Sequence, residues 1–299
     1  MGNIVQSEET SVKVGEVEIT YDTFGDPVNP PMLLIMGLST QMIFWDEAFC
    51  RELATQGYWV IRFDNRDVGL STKFGEAGVP DLMELMMKVQ QGETVEAPYT
   101  LLDMAADAIG LLDVLEIDTA HIVGASMGGM IAQTIAIHYP ERVRTMTSIM
   151  SSTNNPELPQ PEPEAISILI TPPPPNRAEY IEYSVKTWKF LNGELSFDEE
   201  YVRKRSGRAY DRNYYPEGSG RQLAAILASG SRKEELRNVK VPTLVIHGDA
   251  DPLVPVEGGK ETAEVIPNAE LMIIEDMGHS IPAEIAPKII EAITQHARK

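Results

Sequence analysis

Three scarcities in the 299-residue chain limit what it can do. It has one cysteine, Cys50, which excludes an intramolecular disulfide and a cysteine-based zinc site. No stretch of the sequence approaches the roughly 18 apolar residues that a membrane-spanning helix needs. Lys and Arg number 25 against 45 Asp and Glu, so the formal net charge is −20. Such a charge repels phosphate backbones and anionic lipids, and we therefore expect neither nucleic-acid nor membrane partners.

Two further features indicate the class of protein. Hydrophobic residues make up 43% of the chain, which is enough for one large globular core. The first 30 residues are polar and acidic and lack the basic start and apolar segment of a secretory signal. We therefore expect a cytoplasmic protein, present as a monomer or a homodimer.

Short β-rich runs alternate with segments of helical spacing along most of the chain. Strands are predicted over residues 18–24, 32–35, 58–63, 120–124, 143–150, 242–248 and 270–274. Helices are predicted over residues 45–56, 101–115, 127–138, 258–265 and 283–297. This order predicts an α/β fold, with a mostly parallel sheet that carries helices on both faces.

The alternation stops between residues 154 and 232. The first part of this stretch, to Pro175, is rich in proline, and the remainder has helical spacing without a good strand. We predict one core domain formed by residues 1–153 and 233–299. Residues 154–232 are predicted to be a helical cap inserted between two strands of the core sheet.

A Gly-x-Ser-x-Gly motif lies at Gly124, Ser126 and Gly128, after an apolar strand and before an apolar helix. A nucleophilic serine on such a strand-to-helix turn needs glycines because the turn is tight and strained. The turn exposes the Ser126 hydroxyl at the carboxyl end of the sheet. It also directs the first amides of the helix toward an oxyanion. Ser126 is therefore the predicted nucleophile.

A nucleophilic serine requires a histidine base, and the chain has five histidines. Active sites of open parallel sheets lie beyond the carboxyl ends of the strands. Only His247 and His279 follow strands in this way, and the others occupy a strand start or helix ends (His121, His138 and His296). His279, in the loop after the last strand, is the predicted base. His247 is expected to pack or to form a structural hydrogen bond.

The carboxylate that orients the base should also follow a strand, and two aspartates compete for this role. Asp249 and Asp251 both lie beyond the predicted strand that ends at Gly248. Asp251 precedes Pro252, which disfavours helical backbone at Asp251, whereas Asp249 has the character of a turn former. These arguments alone do not separate the two.

Together these motifs resemble the α/β-hydrolase superfamily over nearly the whole chain. The segment 124–129 matches its nucleophile elbow, and Gly278-His279-Ser280 matches the segment that carries its triad histidine. His247-Gly248-Asp249-Ala250-Asp251-Pro252 matches the segment whose second aspartate is the triad acid. The resemblance therefore implies a triad of Ser126, His279 and Asp251.

The resemblance also implies an oxyanion hole built from backbone amides. Many members carry His-Gly after the relevant strand, where this chain has Met36 and Gly37. Gly37 still permits the sharp turn, so the amides of Leu38 and Met127 are the expected donors. The segment 64–71 resembles a D-x-R-x-x-G-x-S loop of the family, for which a structural role is expected.

Within the superfamily, three segments resemble the aclacinomycin methylesterase group, namely residues 36–41, 65–71 and 215–218. This resemblance implies a serine carboxylic-ester hydrolase for small to medium esters, methyl esters included, that needs no metal or organic cofactor. Met36, Gly37 and Trp188 are expected to contact the substrate. The other aromatic residues of the cap are expected mainly to hold the cap together, with some lining the pocket (Tyr180, Tyr183, Phe190, Tyr210, Tyr214 and Tyr215).

Other activities remain open at the same triad. A perhydrolase, or cofactor-free haloperoxidase, would admit peroxide in place of water, and a carbon–carbon hydrolase would cleave a diketone. An iminopeptidase would use acidic cap residues to hold a free amine. A ligand-binding receptor of the same fold is the alternative outside the enzymes.

Overall fold

The computed structural model describes residues 4–299, which form a single sheet flanked by helices. The strands are β1 (Thr10–Val14), β2 (Val17–Phe24), β3 (Pro31–Ile35), β4 (Trp59–Phe63), β5 (Ala120–Ala125), β6 (Val143–Ile149), β7 (Thr243–Gly248) and β8 (Glu270–Ile274). They form an eight-stranded sheet in the order β1-β2-β4-β3-β5-β6-β7-β8. The pairs β1–β2 and β2–β4 are antiparallel, and the other pairs are parallel. The predicted mostly parallel α/β sheet is confirmed.

Eleven α-helices surround this sheet in the described part of the chain. They are α1 (Glu47–Thr55), α2 (Leu82–Gln90), α3 (Leu101–Val114), α4 (Met127–His138), α5 (Pro163–Ile170), α6 (Arg177–Leu191), α7 (Glu199–Arg212), α8 (Glu217–Ser229), α9 (Lys233–Leu236), α10 (Val256–Val265) and α11 (Ala286–His296). None of the helices within residues 4–299 combines the length and apolarity needed to cross a membrane.

Two hydrophobic clusters cover opposite faces of the sheet. Helices α3 and α4 pack with one cluster, and α1 and α11 pack with the other. The alternation of side chains along a strand produces this division, since Ile122 belongs to the first cluster and its neighbour Val123 to the second. Both residues are buried, as expected of a central parallel strand covered on both sides.

Most predicted elements agree with the structure to within a few residues, and α4 and β8 match at both ends. Four elements were missed: β1, α2, α5 and α9. Strand β1 is mostly exposed and polar, α2 contains no buried residue, and α5 lies within the proline-rich stretch. The apolar residues of α2 do have helical spacing (Leu82, Leu85, Met86 and Val89), but α2 precedes α3 between the same two strands, and the alternation of strands and helices accounts for one helix there. Helix α9 has four residues, which is too short for a periodic pattern.

Residues 154–232, which we call the insert, contain α5, α6, α7 and α8 between β6 and β7. Helices α6 and α7 pack against each other, whereas α8 packs against α2 and α3. The division into a core domain and an inserted cap stays a prediction. What matters for the site is that the insert stands over the carboxyl end of the parallel strands, beside Ser126.

Candidate active site

Ser126 stands at a sharp turn between β5 and α4. Its φ is 55° and its ψ is −122°, a strained combination for a residue with a side chain. The neighbouring glycines are required by close packing. A Cβ on Gly124 would lie 2.0 Å from the Gly128 carbonyl oxygen, and one on Gly128 would lie 2.0 Å from the Ile35 carbonyl oxygen. The turn therefore has the geometry that the Gly-x-Ser-x-Gly motif predicts.

The structure brings the three predicted triad residues together from three loops. The Ser126 Oγ atom lies 2.9 Å from His279 Nε2, and His279 Nδ1 lies 2.7 Å from Asp251 Oδ2. Asp251 Oδ1 accepts hydrogen bonds from the amides of Leu253 at 2.9 Å and Val254 at 2.8 Å. With both oxygens of Asp251 engaged, the carboxylate has a fixed orientation toward the imidazole.

The residues that competed for these roles occupy other positions. Asp249 Oδ1 accepts a hydrogen bond from the Asp276 amide at 2.8 Å, which holds two loops together. His247 is buried, with Nε2 donating to the Val254 carbonyl at 2.8 Å and lying 3.6 Å from Asp251 Oδ2. Burial lowers the pKa of His247 and favours the neutral ring. The expected structural hydrogen bond of His247 is confirmed.

Two backbone amides beside Ser126 are unused. Within residues 4–299, the N–H groups of Leu38 and Met127 have no hydrogen-bond acceptor. Met127 begins α4, where the helix dipole favours negative charge. Gly37 brings the other loop close, since a Cβ there would lie 3.0 Å from the Ser126 Cβ atom. These two donors can therefore receive an oxygen that gains charge at the carbon bonded to Ser126 Oγ.

The loop that carries Leu38 is held by side chains from elsewhere in the chain. Asn65 Nδ2 donates to the Met36 carbonyl at 2.9 Å. Gln222, which is fully buried in α8, accepts from the Ser39 amide at 2.9 Å and donates to the Arg66 carbonyl at 2.8 Å. The insert therefore positions the loop, a contribution that no local sequence signal revealed.

The histidine loop is also bonded to the insert. The His279 amide donates to the Leu191 carbonyl at 2.6 Å, and the Gly278 amide donates to the Asn192 carbonyl at 3.1 Å. Ser280 Oγ donates to Asn192 Oδ1 at 2.8 Å. The end of α6 thus holds the backbone of the loop on which His279 lies.

The segment 64–71 has structural contacts throughout. Asp64 accepts from the amides of Met42 and Leu70 at 2.8 Å each. Arg66 pairs with a buried aspartate of α3 at 2.6 Å, and Asp67 pairs with Arg221 of α8 at 2.8 Å. These contacts agree with the structural role expected for the loop.

Ser126 and His279 open into a cavity of about 1400 Å³ between the sheet and the insert. The predicted contact residues Met36, Gly37 and Trp188 line it. Five of the seven aromatic residues predicted for the cap line the cavity, whereas Phe190 and Tyr210 do not (Tyr180, Tyr183, Trp188, Tyr214 and Tyr215). Among residues 4–299 no cluster of three or more His, Cys, Asp or Glu has the arrangement of a metal site.

Comparison with known proteins assigns the family. Residues 30–284 match the family described as alpha/beta hydrolase fold. The chain is 29% identical to rhodomycin D methylesterase DauP of Streptomyces sp. strain C5, over 95% of this chain and 96% of that protein. It is 32% identical to a 2-hydroxy-6-oxononadienedioate/2-hydroxy-6-oxononatrienedioate hydrolase of Cupriavidus pinatubonensis, over 57% of this chain and 59% of that one.

A solved structure supports the same fold. The meta-cleavage product hydrolase of Pseudomonas fluorescens IP01 superposes with a TM-score of 0.76 at 21% identity, covering 97% of each chain. The antiparallel start of the sheet, the parallel strands that follow and the strand-to-helix turn at Ser126 are all features of one architecture. The chain belongs to the alpha/beta hydrolase fold family.

Proposed function

We propose that this hydrolase cleaves carboxylic esters of small to medium size, methyl esters included, with Ser126 as nucleophile, His279 as base and Asp251 as orienting acid. The observation that carries the proposal is the 2.9 Å contact between Ser126 Oγ and His279 Nε2 beside two unused amides. The similarity to a rhodomycin D methylesterase supports an ester as the bond cleaved.

The first half of the reaction is acylation of Ser126. With its Nδ1–H donated to Asp251, the His279 ring presents a lone pair at Nε2 to the serine hydroxyl. The hydroxyl oxygen attacks the ester carbonyl carbon as its proton passes to Nε2. The carbonyl oxygen becomes an oxyanion held by the amides of Leu38 and Met127. When the tetrahedral intermediate collapses, the alkoxy group leaves and takes the proton from His279 as the free alcohol.

The second half returns the enzyme to its starting state. Water gives a proton to His279 Nε2 as its oxygen attacks the acyl carbon, and a second tetrahedral intermediate forms. Its collapse breaks the bond to Ser126 Oγ, which recovers the proton, and releases the carboxylic acid. Asp251 remains ionised and stabilises the imidazolium that exists during both halves. Loss of one oxyanion donor typically lowers kcat about 100- to 1000-fold.

The cavity favours a substrate whose acid part is larger than an acetyl group. Its volume of about 1400 Å³ exceeds the usual range for small-molecule sites, roughly 300–1,000 Å³. Aromatic side chains such as Trp188 and Tyr183 form part of its wall. A methyl ester of a bulky, partly aromatic acid would place its small alcohol near Ser126 and its acid part against these rings.

The experiment that tests the proposal compares the intact protein with Ser126→Ala on p-nitrophenyl esters of rising acyl length and on methyl 2-naphthoate. We expect multiple turnovers, lost by at least about 1000-fold in the variant. An exposed serine substitution, Ser231→Ala, serves as the matched control. A fluorophosphonate label should add its mass to the peptide containing Ser126. Unchanged turnover in Ser126→Ala would exclude this mechanism.

A carbon–carbon hydrolase is the second candidate, because the hydrolase of Cupriavidus pinatubonensis is 32% identical over 57% of this chain. The same protein preparation should be assayed on a vinylogous 1,5-diketone acid. Faster cleavage of that compound than of any ester, again dependent on Ser126, would favour the second candidate over the first.

A further inference from the structure

Arg205, in the middle of α7, is a cation without a carboxylate partner. Within residues 4–299, none of its nitrogens lies within 4.0 Å of a carboxylate oxygen, and its buried Nε has no hydrogen-bond partner. The other arginines of the same helix each pair with a carboxylate (Arg203 with Glu182, Arg208 with Glu47, Arg212 with Asp64). Arg205 therefore differs from its neighbours in having an unsatisfied positive charge.

This charge faces the same cavity as the proposed catalytic residues. Arg205 lines that cavity together with Phe44 and Trp188. The guanidinium carbon lies 4.4 Å from the centre of the Phe44 ring and 4.9 Å from that of Trp188. Aromatic faces stabilise a planar guanidinium but do not satisfy its N–H groups, which point along its edges.

The carboxylate of Asp46 also acts on Arg205, but another side chain already binds it. Asp46 Oδ2 accepts a hydrogen bond at 2.5 Å from the hydroxyl of Tyr201, whose ring lies 5.3 Å from the Arg205 guanidinium. Burial lowers the pKa of Arg205, which reflects the cost of keeping its charge among rings rather than in water. An arginine still remains protonated at neutral pH. Tyr201 offers Arg205 a neutral hydroxyl, and Asp46 lies beyond ion-pair distance, so a carboxylate that pairs with this cation has to come from outside residues 4–299.

We propose that Arg205 binds a carboxylate on the part of the substrate remote from the scissile ester, with a flat portion of the substrate packed against Trp188. The substrate would then be an ester of an acid that carries a second, free carboxylate. This inference rests on the proposed function, because it assigns that substrate to the same cavity.

The chemistry favours a carboxylate over other ligands. A guanidinium fork matches the two oxygens of a carboxylate, and such charge-assisted bonds are about twice as strong as neutral ones. The chain as a whole carries a charge of −20, so an anionic substrate needs a local positive charge to enter. An amine would be repelled by Arg205, and a purely apolar ligand would leave its N–H groups unsatisfied.

The test measures binding rather than turnover, so that it does not depend on the esterase chemistry. Ser126→Ala protein is titrated calorimetrically with 2-naphthoate and with its neutral isostere 2-naphthamide. The same titrations are made with Arg205→Met and Arg205→Lys added to Ser126→Ala. Arg208→Met in the same background is the matched control, because Arg208 lies one turn further along α7 and outside the cavity lining.

We expect 2-naphthoate to bind about tenfold or more tightly than 2-naphthamide, since one charge-assisted contact is worth at least that ratio. Arg205→Met should remove the preference while 2-naphthamide still binds, and Arg205→Lys should keep part of it. Arg208→Met should keep all of it. A preference that survives in Arg205→Met would place the carboxylate elsewhere, for example at the amides of Leu38 and Met127, and would overturn the proposal.

Two further outcomes are separable. If Arg205→Met binds neither ligand, its fold has changed, and Arg205→Lys becomes the deciding variant. The proposal then requires Arg205→Lys to bind 2-naphthamide with unchanged affinity and 2-naphthoate more weakly. Equal affinity of the parent protein for both compounds would also refute the carboxylate subsite, even where ester hydrolysis is fully established. Conversely, a preference for the carboxylate without any ester hydrolysis would support the carboxylate subsite and refute the proposed function.

Discussion

Asp251 Oδ2 is 2.7 Å from His279 Nδ1, whereas the carboxylate two residues earlier, that of Asp249, contacts no histidine and bonds to the Asp276 amide. The two aspartates lie in one loop after the same strand, so their different roles depend only on the direction in which the loop points each carboxylate. Pro252 and the amides of Leu253 and Val254 turn Asp251 inward.

This separation gives the first prediction. Asp251→Asn should lower kcat about 1000- to 10,000-fold, because an amide in that position favours the wrong tautomer of His279. Asp249→Asn keeps an oxygen acceptor for the Asp276 amide and should retain near-normal kcat. Steady-state hydrolysis of one ester by both variants decides the matter. Comparable losses in the two variants would argue against the assignment of Asp251.

The second prediction concerns Gln222, which joins the insert to the loop of Leu38. Gln222→Met leaves the Ser39 amide and the Arg66 carbonyl unsatisfied, which should cost about 1–3 kcal/mol of unfolding free energy. It should also lower kcat about tenfold, because a displaced Leu38 amide stabilises the oxyanion less well.

Gln222→Glu is the matched variant, since its carboxylate keeps the acceptor for Ser39 while losing the donor to Arg66. It should recover kcat more than stability. If Gln222→Met loses stability but keeps full kcat, Gln222 supports the fold without positioning the loop.

The third prediction concerns the buried pair of Arg221 and Asp67, whose side chains are 1% and 0% exposed. Arg221→Met leaves the Asp67 carboxylate buried without its cation and should cost about 3–5 kcal/mol of unfolding free energy, measured by urea denaturation. Tyr99, whose hydroxyl donates to Asp67 at 2.7 Å, does not replace that charge.

Two controls accompany this measurement. The double variant Asp67→Asn/Arg221→Met should recover part of the loss, since it removes the unpaired charge. Arg177→Met breaks an exposed pair with Asp211 and should change stability far less. Equal losses of unfolding free energy in Arg177→Met and Arg221→Met would contradict the expectation that burial makes the Arg221–Asp67 pair costly to break.

The fourth prediction concerns pH. Burial lowers the pKa of His121 to about 4, below its ordinary value of 6.5. Between these two values the unfolded chain binds more protons than the folded chain, so stability rises with pH across this window and falls as pH is lowered through it. His121 should therefore account for about 2 kcal/mol of the stability lost between pH 7 and pH 5.

The measurement compares urea denaturation of the intact protein and of His121→Gln at both pH values. The glutamine retains a hydrogen-bonding group for Thr145 Oγ1, which lies 2.9 Å from His121 Nδ1. The variant should lose less stability on acidification than the parent. An identical loss in both proteins would show that other groups, such as His247 and His296, cause all of it.

The sequence is sufficient to predict the parts of the fold and the site that local chemistry controls. The strand-to-helix turn at Ser126 can be predicted because close packing permits only glycine at two nearby positions. The alternation of apolar runs predicts the sheet, since buried parallel strands must be apolar on both faces. Helix α2 was missed although Leu82, Leu85, Met86 and Val89 have helical spacing, because it is a second helix between β4 and β5 and falls outside the simple alternation.

Contacts across the insert could not be predicted from the sequence. Gln222 is about 180 residues beyond Ser39, its hydrogen-bonding partner, and no periodicity links them. Arg205 resembles the other arginines of its helix until packing shows that it alone among them has no carboxylate partner. Choosing between Asp249 and Asp251 likewise required the family resemblance, because both lie beyond the same strand.

The backbone hydrogen bonds between the end of α6 and the loop that carries His279 restrict how the molecule can exchange its ligands. Lifting the insert as a rigid flap would break the hydrogen bond that the His279 amide donates to the Leu191 carbonyl, and would release the base from its position. Ligand exchange that keeps the base in position therefore has to leave this junction closed. A chimera that carries the insert of another hydrolase would need these hydrogen bonds restored first. Otherwise a change in its catalytic rate would reflect a displaced His279 rather than a new substrate specificity.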